Sequence, residues 1–259
     1  MRDGQVDVAI FEQAAPKSGF ALADVEAAIN NLDFDEISRA YQEQNEFIVV
    51  ERLLDDAVVA PLVAEAQRMK PEINRNYIPK HKKGGSVSYF VLSRKAPAIL
   101  SLYRSAAFVD FLSRLAGARL LPCPDDDPHA CALYFYTEPG DHIGFHYDTS
   151  YYKGARYTVL VGLVERSSSR LVCQLYKDDP KRQTQELSLA TEPGTFVFFN
   201  GDKLYHSVSP LQPGEERIVL TMQYVINQRM GPFKRVVSNM KDAVAYFGFR
   251  SLFRARSQR

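Results

Sequence analysis

From residue 33 to residue 116 apolar side chains recur every three or four positions, whereas after residue 128 they gather in short runs rich in Val, Tyr, Phe and Thr. The chain therefore changes texture near its middle. In the first half, Asp33 or Asp35 is placed to cap a helix running through Glu43. Asp55 or Asp56 can cap a second, in which Val58, Leu62, Val63 and Ala66 share a face. Phe47–Val50 lies between them and reads as a strand. A third helix is predicted over Ala98–Ala116, where Ile99, Leu102, Phe108, Phe111 and Leu112 lie on a broad apolar stripe that Gly117 ends. Ahead of these, Val6–Phe11 and Phe20–Ile29 are short apolar pieces separated by Pro16–Gly19, and read as an appendage.

Two breaks interrupt this half. Pro79–Gly85 is a basic, glycine-ended stretch that reads as a flexible loop, and Pro122–Pro128 cannot continue a helix or a central strand. Strands are then predicted at Cys131–Thr137, Gly144–Asp148, Tyr157–Val164, Leu171–Tyr176, Gly194–Asn200 and Arg217–Val225, with Arg166–Arg170 as a mobile hairpin loop. Six short strands at this spacing imply a sandwich or barrel. The last stretch, 229–259, holds eight Lys or Arg and a single acid, Asp242, and predicts a helix around Lys241–Phe253. One domain accommodates all of this, with a helical layer and support strands over 1–128, a β core over 129–228 and a basic C-terminal segment over 229–259.

Composition narrows the partners. The 259 residues carry 32 Lys plus Arg against 31 Asp plus Glu, and a net charge of +1 offers no global field for nucleic acid or an anionic membrane. The longest apolar run is about eight residues, Tyr157–Val164, against the roughly 20 that a membrane span needs. With no export signal in the first residues, the expected setting is cytoplasmic, as a monomer or homodimer acting on a small molecule. Cys123, Cys131 and Cys173 are odd in number and lack CxxC spacing, so they read as reduced, buried thiols and not as zinc ligands.

The chemistry rests on two of five histidines. In His146-Tyr147-Asp148 an imidazole and a carboxylate two residues apart would project from one face of a strand. His206 follows a hydrophobic strand and a turn that could return it beside them. Two His and one Asp form a facial triad that leaves cis positions of an Fe(II) ion open. A buried strand histidine with an ordinary hydrogen bond is the plainer reading of the same motif. Arg217 opens an apolar strand whose inner positions would be Arg217, Val219, Thr221 and Gln223, and burying it is costly unless an anion meets it. A salt bridge to Glu215 or Glu216 on an edge strand is the alternative.

Taken together, Tyr136, His146, Asp148, the Gly194–Asn200 strand, His206 and Arg217 resemble the Fe(II)- and 2-oxoglutarate-dependent dioxygenases, most closely the prolyl-4-hydroxylase-like branch, over about 130–228. The resemblance implies a mainly β protein with flanking helices, a double-stranded β-helix (jelly-roll, cupin-like) core under a helical N-terminal layer. It implies that His146, Asp148 and His206 bind Fe(II), and that Arg217 holds the distal carboxylate of 2-oxoglutarate. Tyr136 would support that carboxylate, with Tyr134 as a substitute. The hydroxyl that many relatives carry two residues after the arginine is here Val219, and Thr221 comes two later. Related halogenases replace the carboxylate ligand with Gly or Ala to admit chloride, so Asp148 argues for hydroxylation. Size and order also resemble stand-alone enzymes of free amino acids.

The implied reaction consumes 2-oxoglutarate and O2, hydroxylates an unactivated C–H bond of an amino-acid-like substrate and releases succinate and CO2. Thr149, Thr221 and Gln223 are the candidate substrate contacts, and Phe145, Tyr147, Phe196 and Phe198 candidate shielding walls. Alternatives are a protein or peptide hydroxylase of the same chemistry, a non-catalytic metal-binding jelly-roll, and a hydrolytic zinc enzyme that would leave Arg217 unexplained. His142 reads as a turn residue and His129 as a cap. The Lys80–Gly85 stretch is a candidate lid or anion patch, more often simply solvated. The basic tail is expected to cover an apolar edge of this barrel or of a dimer mate.

Overall fold

A computed structural model describes residues 20–229. Helices α1 (Leu22–Asn30) and α2 (Phe34–Glu43) precede strand β1 (Phe47–Val50) and helix α3 (Asp56–Arg68). A hairpin of β2 (Asn74–Ile78) and β3 (Lys82–Val87) leads to α4 (Tyr89–Lys95), α5 (Pro97–Arg104) and α6 (Ala106–Ala116). Then come β4 (Leu121–Pro122), β5 (Cys131–Tyr136), β6 (His142–His146), β7 (Arg156–Arg166), β8 (Leu171–Leu175) and β9 (Gln185–Leu189). The series closes with β10 (Phe196–Asn200), β11 (Tyr205–Val208) and β12 (Glu216–Val225). Val6–Phe11 and the helix expected at Lys241–Phe253 lie outside the described residues, while Phe20–Ile29 falls largely on α1.

The helix starts follow their caps. Asp33 Oδ1 accepts from the Glu36 amide at 3.1 Å, and Asp55 Oδ1 from the Val58 amide at 3.0 Å, each satisfying an amide that the first turn leaves unpaired. The helix expected over Ala98–Ala116 is two helices. Ser105 takes an extended ψ of 122° and its Oγ caps the Phe108 amide, so it breaks the run while the apolar stripe passes through. Before the break, Glu65 on α3 reaches across to accept from the Ala98 and Ile99 amides, both at 2.9 Å, and caps α5 from a neighbouring helix.

The described strands form one antiparallel sheet in the order β1-β10-β7-β12-β5-β3-β6-β11-β8-β9, with β2 on β3 and β4 on β12. The sheet rolls over at β3. Its last residues, Gly85–Val87, pair with Phe135–Leu133 on β5, while Lys82 and Lys83 pair with Ile143 and His142 on β6. The stretch expected to be a flexible loop is therefore largely strand, with a tight turn at Pro79–His81, and Lys82 is buried at the fold line. Strand alternation then makes two cores. Ile218, Leu220, Met222 and Tyr224 face the helices with Val159, Val161, Phe196 and Phe198. Val219, Leu160, Val197 and Phe199 face inward and pack against Leu171, Cys173, Leu175 and Val208 of the second layer. All three cysteines are buried and unpaired. The Arg166–Arg170 loop is held in place: Ser169 is buried and its Oγ donates to the Ser209 carbonyl at 2.6 Å.

Candidate metal centre and cavity

His146 ends β6 and His206 sits on β11, and the register makes them direct partners on adjacent strands, with ring centroids 4.3 Å apart. Asp148 lies beyond the end of β6, where the chain has left the sheet, so it does not share a strand face with His146 as its spacing suggested. It is brought back nonetheless, with Oδ1 3.5 Å from His146 Nε2. Gly201 allows this approach, because a Cβ there would lie 2.5 Å from the Asp148 carbonyl oxygen and 2.9 Å from its Cβ. One ligand atom from each of His146, Asp148 and His206 falls within 4.8 Å of the others, a set that could hold a metal ion.

The orientation of each ligand is fixed from behind. His146 Nδ1 pairs with the Gly144 carbonyl at 2.9 Å and His206 Nδ1 with the Leu204 carbonyl at 3.2 Å. A carbonyl can only accept, so Nδ1 carries the proton in both rings and Nε2 presents its lone pair to the centre. Thr158 Oγ1 donates to Asp148 Oδ2 at 2.7 Å, which leaves Oδ1 for a metal. Burial alone would raise the Asp148 carboxyl, but the adjoining His146 and His206 rings and the Thr158 hydrogen bond hold it well below the usual carboxylate range. Burial and the neighbouring His146 lower His206 to about 4. Burial also opposes charging His146, yet Asp148 outweighs it and raises that group. An anionic carboxylate beside a neutral His206 is the protonation state a divalent cation requires.

Arg217 is 1% exposed and points into the same interior. It pairs with neither Glu215 nor Glu216. Glu216 reaches Lys70 at 2.8 Å and also Arg166, whereas Arg217 Nε meets Glu165 Oε2 at 3.3 Å and Thr191 Oγ1 at 3.1 Å. The latter contact depends on Gly162. A Cβ there would stand 2.2 Å from the Thr191 carbonyl oxygen, so only glycine lets the 191–195 backbone cross β7 closely enough. Tyr136 is the direct β5 partner of Arg217, with the guanidinium carbon 5.5 Å from its ring centroid. Arg217 Nη1 is buried with no hydrogen-bond partner among the described residues. Such a group is costly unless an acceptor fills the space before it.

A cavity of about 260 Å³ connects these groups. Its wall includes the three candidate ligands, Arg217 and Tyr136, and the inner β12 positions Val219, Thr221 and Gln223; Thr149 and Tyr134 line it as well. Of the proposed aromatic walls only Tyr147 lines it. Phe196 and Phe198 face the helices and Phe145 is partly exposed, while Phe199, one residue on, packs edge-on against His206 at 5.0 Å. His129, read as a cap, lines the cavity, and it is Asp127 Oδ1 that accepts from the His129 amide at 2.8 Å. His142, read as a turn residue, instead opens β6 as the partner of Lys83, with its Nδ1 bonded to the Gly140 carbonyl. Sequence reasoning missed Arg156, Thr158, Glu165 and Thr191. For the first two the signal was available, since they share the inward parity of Leu160 on β7.

Comparison with known proteins bears on the fold. The non-heme alpha ketoglutarate dependent epimerase SnoN from nogalamycin biosynthesis superposes with a TM-score of 0.61 at 16% identity, over 74% of this chain and 82% of that one. A prolyl-4-hydroxylase from Pseudomonas putida gives 0.57 at 16% identity, over 76% and 99%. The prolyl hydroxylase of Trichoplax adhaerens, solved with a hypoxia inducible factor peptide fragment, gives 0.60 at 14% identity, over 84% and 95%. The chain has the double-stranded β-helix fold of the Fe(II)- and 2-oxoglutarate-dependent oxygenases. In sequence, a family model described as Halogenase D matches residues 30–155, a span that includes His146 and Asp148 and stops before His206 and Arg217. No curated protein matches the chain.

Proposed function

We propose that this protein is an Fe(II)- and 2-oxoglutarate-dependent hydroxylase of a small, amino-acid-like substrate. The observation that carries the reading is Arg217: a buried guanidinium with an unpartnered Nη1 opens on the same cavity as a two-His, one-carboxylate cluster. A chelating dicarboxylate between the two supplies the acceptor that Arg217 lacks and ligands for the metal that the triad leaves open. The N2O donor set suits Fe(II), which in this fold couples decarboxylation of 2-oxoglutarate to oxidation of a C–H bond with O2.

The chain's own residues do the rest. Glu165 and Thr191 hold the Arg217 side chain by Nε and aim its remaining donors into the cavity, and Tyr136 closes over it. Thr158 and the two carbonyls fix the ligand atoms before any metal arrives, and Phe199 excludes water from the His206 side. Asp148 favours hydroxylation over halogenation despite the Halogenase D match, because the position that related halogenases leave small is here filled by a carboxylate. The cavity of about 260 Å³ lies below the roughly 300–1,000 Å³ typical of small-molecule sites, which favours a compact substrate over a protein segment.

The test is an anaerobic titration of the metal-free protein with Fe(II) and 2-oxoglutarate, following the weak visible charge-transfer band of the chelate. We expect the band in the wild type and at least a 100-fold greater 2-oxoglutarate requirement in Arg217→Ala, equivalent to roughly 2.7 kcal/mol. Bound iron without a band would overturn the assignment.

A further inference from the structure

The cavity holds a second buried arginine at the opposite end from the first. Arg217 lies at the start of β12 and Arg156 at the start of β7. The antiparallel register places Arg217 beside Glu165 and Arg156 beside Val225, eight residues further along β12. Between them the inner face of β12 presents Val219, Thr221 and Gln223. The candidate metal ligands line the same cavity, and Thr158, the β7 neighbour of Gln223, ties Asp148 to this end of it.

Both arginines are mounted the same way. Arg156 is 7% exposed, and its Nε donates to Gln223 Oε1 at 2.9 Å, as Arg217 Nε is held by Thr191. Neither Nη nitrogen of Arg156 makes a hydrogen bond among the described residues. Asp127 is the nearby countercharge, but its Oδ2 stands 3.9 Å from Nη2, too far for a hydrogen bond. That carboxylate is already engaged by the Tyr152 hydroxyl at 2.7 Å and the His129 amide at 2.8 Å. Asp127 thus balances the charge from behind and leaves the fork of Arg156 uncommitted on the cavity side. A buried guanidinium with two idle nitrogens at a cavity wall is built for a planar, bidentate anion.

We propose that Arg156 binds a carboxylate of the primary substrate, so that the cavity reads two acids: the cosubstrate at Arg217 and a small carboxylic acid, free amino acids included, at Arg156. The inference deepens the hydroxylase reading and rests on it only in assigning Arg217 to the cosubstrate. Thr221 and Thr149 line the cavity with polar groups available to the remainder of such a molecule. The site selects for a free acid, because an amide or ester leaves the guanidinium without its anion.

The experiment uses the full chain, first metal-free and then loaded anaerobically with Fe(II) and 2-oxoglutarate. The probes are the twenty protein amino acids and their C-terminal carboxamides. Binding is read by calorimetry in both states and by perturbation of the visible band in the loaded state. We expect at least one amino acid to bind and its carboxamide to bind 30-fold or more weakly. In Arg156→Gln the acid should lose a similar factor, while the 2-oxoglutarate requirement stays within twofold of wild type. Arg156→Lys keeps the charge opposite Asp127 but not the fork, so it guards against a folding defect; its acid binding should also fall at unchanged thermal stability. Equal binding of acid and carboxamide, an Arg156→Lys variant that binds like wild type, or no response across the panel would each overturn the proposal. Acid-selective calorimetric binding with no band in the loaded state would sink the cosubstrate reading and leave the Arg156 site standing.

Discussion

The two faces of β12 divide the molecule's labour. Ile218, Leu220, Met222 and Tyr224 point outward into a large apolar core shared with α3, α5 and α6, a layer in which almost every buried contact is hydrocarbon or aromatic. Arg217, Thr221 and Gln223 point inward with Val219, into a smaller core where buried polar groups are interleaved with aliphatic ones. One strand with a period of two therefore serves both ends: its outer residues stabilise the barrel, and its inner ones can be polar because that stability is supplied next door. Substitutions on the two faces should fail in different ways.

The largest effect is expected on the inner face. Asp148→Ala should reduce Fe(II)-dependent succinate release to background while the far-ultraviolet circular dichroism spectrum and melting temperature stay near wild type, since a partly buried carboxylate beside two imidazoles contributes far more to metal binding than to packing. A large loss of stability in that variant would break the contrast. On the outer face, Leu220→Ala should cost about 2–5 kcal/mol in urea unfolding with an unchanged 2-oxoglutarate requirement, because it leaves a cavity in the apolar layer. Between the two lies Gly162→Ala. Its new Cβ would push back the 191–195 backbone and with it Thr191, so weaker 2-oxoglutarate binding should accompany lost stability.

Smaller effects sharpen the comparison. Glu65→Ala removes the cap of α5, far from the cavity, and should cost about 1–2 kcal/mol with no change in the visible band. In the metal-free protein, burial and His146 lower His206 to about 4, whereas an unfolded histidine titrates near 6.5. As the pH falls the unfolded chain takes up that proton first, so the stability from this group is whole above about pH 6.5 and lost as pH falls towards 4. His206→Gln should therefore flatten the stability profile across that window, as measured by urea unfolding in the presence of chelator.

Much of this was legible in the chain. The caps at Asp33 and Asp55, the strand at 47–50 and the change to β texture after Pro128 are local signals, read from neighbours within four residues. So was the inner parity of β12, and with it the placing of Arg217, Thr221 and Gln223 on one wall. The short strands β9 and β11 were not, because Gln185–Leu189 and Tyr205–Val208 are interrupted by polar residues and lack the unbroken apolar run that marked β1. Ser105 falls inside the stretch read as a single helix, and its break depends on the side chain turning back to the nearby backbone.

The sequence by itself picked out the candidates for chemistry: two histidines, an aspartate and an arginine that opens an apolar strand. Only the tertiary structure decided how they meet. It returned Asp148 to His146 after the strand had ended, by leaving room at Gly201. It satisfied Arg217 with Glu165 and Thr191 in place of its sequence neighbours, and it set Arg156 at the far end of the same cavity. The reason is physical. Propensity and alternation act over a few residues, whereas the approach of two backbones and the pairing of a buried charge depend on segments tens of residues apart, which only the closed sheet brings into register.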